Sequence, residues 1–291
     1  MCTIEAPRRV LVTGLAGFTG AYLAAALTAA NATAVATPAG FDLREPALLH
    51  EMLAGVEFDD VIHLAGLSFV PHERPDELYR VNTVGTVALL EALYRLDRPL
   101  GRIILASSAN VYSSAGDAPL TEEQPLHPAN HYGASKLAME SLARGWFARL
   151  PIVITRPFNY TGVGQDPRFL IPKIVDAFRR RAPVIELGNT DVVRDFSDVR
   201  TVGAVYADLL DAPPSTVVNI CSGTGHSLQW VIDECVAATG HQIEIRVNPA
   251  FVRKDEVRRL VGSPKRLVGL TDRLGRPAFR ETLRWMLDSP A

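Results

Sequence analysis

Tyr132 and Lys136 stand four positions apart in Tyr132-Gly133-Ala134-Ser135-Lys136, a spacing that puts both side chains on one face of a helix. An ammonium beside a phenol lowers the phenol's pKa, so a tyrosine tuned this way can give or take a proton near neutrality. Ser108, in Ala106-Ser107-Ser108-Ala109-Asn110-Val111-Tyr112, supplies a hydroxyl directly after an apolar run. If that run is a parallel strand, the hydroxyl falls at its carboxyl end, where such sheets bind ligands. Near the beginning of the chain, Gly14, Gly17 and Gly20 are spaced G-x-x-G-x-x-G, a relative of the dinucleotide fingerprint. A turn without Cβ lets the backbone approach a pyrophosphate, and the N–H groups opening the next helix meet its charge. Three glycines alone would mark only a turn before a helix, and a lone Tyr–Lys pair is common by chance. Their order along the chain, with Ser108 between them, points to proton transfer beside a bound dinucleotide.

These groups need a scaffold that delivers them to one edge. Apolar, β-branched runs alternate with helical patterns, as in βαβ units with right-handed crossovers, so the expected fold is α/β, a Rossmann-type doubly wound parallel sheet. Strands are predicted over 10–12, 33–37, 61–64, 102–106 and 152–155, and helices over 17–30, 46–53, about 76–95 and 132–150. After Arg156, Gly, Pro and charged residues become frequent and the elements shorten. Helices are predicted there over 170–181, 201–210, 229–239 and 279–287, with extended segments over 184–187 and 243–247. The run 217–220 reads as a buried strand returning to the main sheet. The expected division is a dinucleotide-binding domain over 1–160, joined by the returning strand near 215–221, and a smaller C-terminal α/β substrate lobe over 161–291.

Composition narrows the partners. In 291 residues, 30 basic side chains face 32 acidic ones, a net charge of −2, without the basic excess of a nucleic-acid binder. Cys2, Cys221 and Cys235 are odd in number and form no C-x-x-C pair, which argues against a disulfide scaffold or zinc ribbon and for a reducing cytoplasm. The seven histidines show no metal-ligand spacing, so no metal is expected. Arg8 and Arg9 ahead of an apolar stretch mimic a targeting signal, but Gly14, Gly17 and Gly20 interrupt it well short of the roughly 20 residues of a membrane span.

Together these motifs resemble the extended short-chain dehydrogenase/reductase family, also called the NAD-dependent epimerase/dehydratase family, over nearly the whole chain. The resemblance includes His63-Leu64-Ala65-Gly66, Val81-Asn82-Thr83-Val84-Gly85-Thr86 and Arg156-Pro157-Phe158-Asn159. It implies a cofactor held by Gly14, Gly17, Phe18, Thr19, Gly20, Asp42, Leu43, Leu64, Ala65, Gly66, Asn82, Tyr132, Lys136 and Pro157. It also implies that Tyr132 exchanges the proton, Lys136 grips the nicotinamide ribose and Ser108 contacts the reacting sugar oxygen. The stretch 156–165, then Arg194-Asp195-Phe196-Ser197-Asp198-Val199 and 248–267, resemble the GDP-6-deoxy-4-keto-mannose reductases within that family. By that resemblance Asn159, Arg194 and Arg253 contact the sugar nucleotide, a task suited to the guanidinium fork. The chain departs from the pattern at Ser113, where a glycine is usual, at Lys254 after Arg253, and at Leu274-Gly275-Arg276-Pro277 in place of a tryptophan–proline pair. Family members pair as homodimers through a four-helix bundle, which here would use the helices near 76–95 and 132–150.

Three reactions compete within such a fold. Dehydration removes a C5 proton and a C6 hydroxyl and requires acidic residues directly after the catalytic hydroxyl. Ala109 and Asn110 stand there instead, and neither exchanges a proton at neutral pH. Reduction of a 4-keto sugar and 4-epimerisation both remain compatible with Ser108, Tyr132 and Lys136, and the resemblance of the second lobe favours reduction. A binding protein that senses NADP is the reading from another class, disfavoured because tyrosine and lysine are both present. The second strand runs into Thr37-Pro38, with no acidic side chain to bind a ribose 2′-hydroxyl or repel a 2′-phosphate; NADP(H) is therefore favoured over NAD(H).

Overall fold

The computed structural model describes residues 6–68, 74–113, 116–252 and 257–290. Its main sheet has six strands: β1 (Arg8–Thr13), β2 (Ala32–Ala36), β3 (Asp60–His63), β4 (Ile103–Ala106), β5 (Ile152–Pro157) and β9 (Thr216–Ile220), in the order β2-β1-β3-β4-β5-β9. Every pairing in it is parallel. Successive side chains of a strand point to opposite faces, and here both faces are apolar. Val10, Val12, Ile62, Ile104, Val153 and Val218 pack under α1 (Phe18–Ala29) and α7 (Val199–Asp208). Leu11, Val61, Ile103, Leu105, Ile152, Ile154 and Val217 pack under α2 (Pro46–Ala54), α4 (Thr86–Tyr94) and α5 (His131–Arg144). A sheet covered on both sides needs continuous apolar strands, which is what these runs are.

Strand order reverses between β1 and β3, so the segments following β1, β3, β4 and β5 meet along the carboxyl edge at the topological switch point. The glycine turn, Leu64-Ala65-Gly66, Ser107-Ser108 and Phe158-Asn159 all leave the sheet at that edge.

A second sheet is built on β8 (Val193–Asp198), which pairs antiparallel with β10 (Gly225–Ser227) and parallel with β12 (Arg259–Leu260) and β6 (Asn159–Thr161). A two-stranded piece joins β7 (Val184–Leu187) and β11 (Glu244–Val247). These strands share a core with α6 (Leu170–Arg179), α8 (Leu228–Thr239) and α9 (Phe279–Asp288).

Several elements differ from expectation. The strands β6, β8, β10 and β12 were not anticipated, because β8 reads Val-Arg-Asp-Phe-Ser-Asp and its charged groups hide the period-2 signal. The helix expected over 132–150 ends at Arg144, where Gly145 serves as C-cap. The helix expected over 76–95 is composite: α3 (Asp76–Tyr79), a π-helical turn over Arg80–Gly85, then α4.

Candidate active site

The turn after β1 is shaped by what its glycines lack. Gly14 sits at φ +76, and a Cβ there would lie 2.9 Å from the Ala65 nitrogen. At Gly20 a Cβ would lie 2.3 Å from the Leu15 carbonyl oxygen. No side chain caps the start of α1 at Gly17. Bare backbone, a helix amino end and a close second loop at Ala65 form a cradle that fits the pyrophosphate of a dinucleotide. Phe18 and Thr19 turn instead toward Tyr160 of β6: the rings of Phe18 and Tyr160 stack at 6.3 Å, and the Thr19 and Tyr160 hydroxyls are 2.9 Å apart. Asp42 is held by the Arg44 fork, which lowers its pKa to about 2, while Leu43 is buried in the core, so only the carboxylate of that pair faces outward.

The loop after β3 is fixed by a chain of buried polar groups. Thr86 donates to the Asn82 carbonyl, so its oxygen must accept from His63 Nε2 at 2.9 Å. Nδ1 of His63 then accepts from Thr13 at 2.7 Å, and Thr13 in turn receives the Ala65 N–H. Burial lowers the imidazole's pKa to about 3, so it stays neutral. Asn82, on the π-helical turn, accepts from the Leu67 N–H and donates to the Leu67 carbonyl and to Ser135 Oγ. Its amide is therefore engaged by protein on both sides, and it clamps the Leu64–Leu67 loop to the catalytic face of α5.

Tyr132, Lys136 and Ser108 come together where α5 crosses the end of β4. Asn130 caps α5, accepting from the Gly133 N–H at 2.9 Å. Lys136 is buried and donates to the Ala106 carbonyl at 2.8 Å; burial lowers its pKa to about 8. Burial pushes the Tyr132 phenol up to about 12, and the group that pulls it down is the Ser108 hydroxyl. The expected lowering by the lysine is thus absent: that ammonium is committed to β4. Ser108 accepts from the Asn110 backbone N–H at 3.1 Å and from its side-chain Nδ2 at 3.0 Å. Asn110 entered the sequence analysis only as a non-acidic residue after Ser108, and Tyr160 and the buried network below were given no role there, because nothing in their spacing marks one. Only the positions beside Ser108 and within the Arg156 segment could have drawn attention.

Beneath the site, Arg156 on β5 and Glu140 on α5 form an ion pair at 2.7 Å, both side chains 1% exposed. Tyr112 accepts from Arg156 and donates to Asn219 of β9, each at 2.8 Å. In the second sheet, Asn159 donates to the Asp195 carbonyl at 3.4 Å. Arg194 is buried and donates to the carbonyls of Val193 and Arg258. Asp195 accepts from Ser222, Gly223 and Gly262 and so ties three segments together. Pro157 ends β5, buried beneath the carboxyl edge. Arg253, expected at the substrate, lies outside the described residues.

A doubly wound sheet, a glycine cradle at its switch point and a serine–tyrosine–lysine set on one edge define an NAD(P)-dependent extended short-chain dehydrogenase/reductase. The chain matches the family model described as GDP-mannose 4,6 dehydratase over residues 36–275 and belongs to that family. It is 34% identical to the GDP-6-deoxy-D-talose 4-dehydrogenase of Aggregatibacter actinomycetemcomitans, covering 90% of each chain. It is 35% identical to the GDP-6-deoxy-D-mannose reductase of Pseudomonas aeruginosa, covering 96% of each. Among solved structures, RMD from Pseudomonas aeruginosa complexed with NADPH superposes with a TM-score of 0.87 at 34% identity, over 97% of this chain and 96% of that one. The Thermus thermophilus UDP-glucose 4-epimerase complex with NAD gives 0.82 at 26% identity, over 96% and 98%. The chain is thus an NAD(P)-dependent enzyme type whose relatives act on nucleotide sugars. Among the described residues no helix is long and apolar enough to cross a membrane.

Proposed function

We propose that this enzyme reduces the C4 ketone of a nucleotide-linked 4-keto-6-deoxy sugar, foremost GDP-4-keto-6-deoxy-D-mannose, to a GDP-6-deoxyhexose such as GDP-D-rhamnose. The observation that carries the reading is the convergence of Ser108 and the Tyr132 phenol at the end of β4, with Ala109 and Asn110 after Ser108 where a dehydratase needs an acid. The similarity to the GDP-6-deoxy-D-mannose reductase over 96% of each chain supports the choice of substrate. When bound, reduced nicotinamide supplies the hydride. Tyr132 gives its phenolic proton to the C4 oxygen, and the Ser108 O–H donates to the same oxygen as negative charge develops there. Lys136, fixed through Ala106, orients the nicotinamide ribose, and Asn159, Arg194 and Arg253 hold the sugar nucleotide. The cradle at Gly14, Gly17 and Gly20 holds the pyrophosphate. We take NADP(H) as the preferred form: Thr37-Pro38 after β2 carries no carboxylate, and the relative's structure with NADPH supports the same choice.

A second reading, 4-epimerisation, is favoured by the likeness to the UDP-glucose 4-epimerase structure. The two separate in one assay. With GDP-4-keto-6-deoxy-mannose, stoichiometric loss of NADPH absorbance that disappears in Tyr132→Phe supports reduction. Interconversion of UDP-glucose and UDP-galactose without net cofactor change would replace it with epimerisation. The reading places the dinucleotide on 1–160 and the sugar nucleotide on 161–291, in a cytoplasmic homodimer.

A further inference from the structure

The geometry points to Asn110 as the positioning residue that makes Ser108 an obligate hydrogen-bond donor to the reacting oxygen. This rests on the reductase reading but concerns a residue that reading leaves unused. A serine hydroxyl has one hydrogen and two acceptor positions. At Ser108 both acceptor positions are filled by Asn110, from the backbone N–H at 3.1 Å and from Nδ2 at 3.0 Å. The hydrogen is left with one task, donation away from Asn110, toward Tyr132 and the ketone between them.

The placement of Asn110 is itself enforced. Ser108 is the N-cap of a single 3₁₀ turn, Ala109–Val111, and Ala109 is buried, so the turn cannot swing away. Its far side presses on α5 at Gly133, next to Tyr132. A Cβ at Gly133 would lie 2.1 Å from the Asn110 carbonyl oxygen. The one residue without a side chain lets the Asn110 turn seat directly on the catalytic helix, which fixes the amide relative to both Ser108 and Tyr132. The hydroxyls of Tyr160 on β6 and Tyr206 on α7, held by Thr19 and Thr155, interact electrostatically with the Tyr132 phenol, and Lys136 lies one turn along α5. Among these groups Ser108 is the one that favours the phenolate.

The test is Asn110→Asp, which keeps the shape and exchanges the donor for an acceptor. A carboxylate would capture the Ser108 hydrogen and withdraw it from Tyr132. Expected in NADPH-dependent ketone reduction is a fall in kcat of about 100-fold, the loss typical of taking one donor from a reacting oxygen. NADPH affinity is expected to be unchanged. Reduction needs protonated Tyr132, so the rate falls as pH rises through the phenol's pKa, and the Asn110→Asp substitution moves that alkaline limb upward by about one pH unit. Asn110→Ala, which retains the backbone donor, loses less and shifts less. Wild-type kcat in Asn110→Asp, or equal losses in both variants with the limb unmoved, would overturn the assignment. Should the wild type reduce no ketone, the reductase reading fails, and Asn110 is still decided by ultraviolet phenolate titration with oxidised cofactor bound, the Tyr132→Phe signal subtracted. A phenolate forming at higher pH in Asn110→Asp sustains the inference, and an unmoved titration overturns it.

Discussion

A half-buried tyrosine whose phenol is pushed up to about 12 holds its proton at neutral pH, which suits an acid better than a base. Replacing it with phenylalanine removes the proton donor while leaving the ring, and kcat for ketone reduction is expected to fall roughly 10²- to 10⁴-fold. NADPH binding, followed by fluorescence, should survive. His63 gives a pH prediction of definite sign. Its pKa is about 3 in the fold against an ordinary value of 6.5, so below 6.5 the unfolded chain takes up a proton that the native chain refuses. Stability therefore falls as pH drops from 6.5 toward 3. Urea midpoints measured across that window should show a shallower decline in His63→Gln; equal declines would mean that the imidazole is not the group responsible.

At the scale of elements, the site depends on two segments pressed together, the Ala109–Val111 turn and α5. Gly133→Ala puts a Cβ against the Asn110 carbonyl and must shift one of them. Turnover should drop at least as far as in Asn110→Ala, with α5 still helical by circular dichroism. Most of these elements were legible in the sequence, because a parallel sheet covered on both faces writes itself as apolar runs: β1, β3, β4 and β5 were each placed within two residues of their observed ends. Ser108, Tyr132 and Lys136 were legible for a different reason, since each follows a strand or opens a helix whose position was already fixed. The second sheet was not. Arg194 and Asp195 occupy strand positions because Ser222, Gly223 and Gly262 satisfy the carboxylate from other parts of the chain, a partnership no local pattern can display. The role of Asn110 was hidden likewise, because two donors converging on one oxygen is a matter of geometry, not spacing.

For the whole molecule, the Arg156–Glu140 pair joins sheet to helix, and through Tyr112 and Asn219 it reaches the returning strand β9. Removing one partner strands a buried charge, and Glu140→Ala should cost about 3–5 kcal/mol of unfolding free energy in a denaturant titration. A loss below about 1 kcal/mol would show that the pair is not the keystone it resembles. On the outside, Val84, Tyr94 and Leu142 remain exposed on the π-helical turn, α4 and α5. As the proposed dimer face, this patch predicts that Leu142→Glu converts a dimer to a monomer in sedimentation velocity.

The π-helical turn at Arg80–Gly85 also governs how the chain can change length. An α-helix advances about 100° per residue, so losing one residue within α4 would swing Leu89, Leu90 and Leu93 out of the core they now fill. At Arg80–Gly85 the chain already stores surplus length as a wider turn. A one-residue deletion there relaxes to ordinary helix with the flanking faces still in phase. What it forfeits is the reach of Asn82 to Leu67 and Ser135. The helix can therefore shorten at this one place and stay folded, but only by uncoupling the loop after β3 from the helix that carries Tyr132.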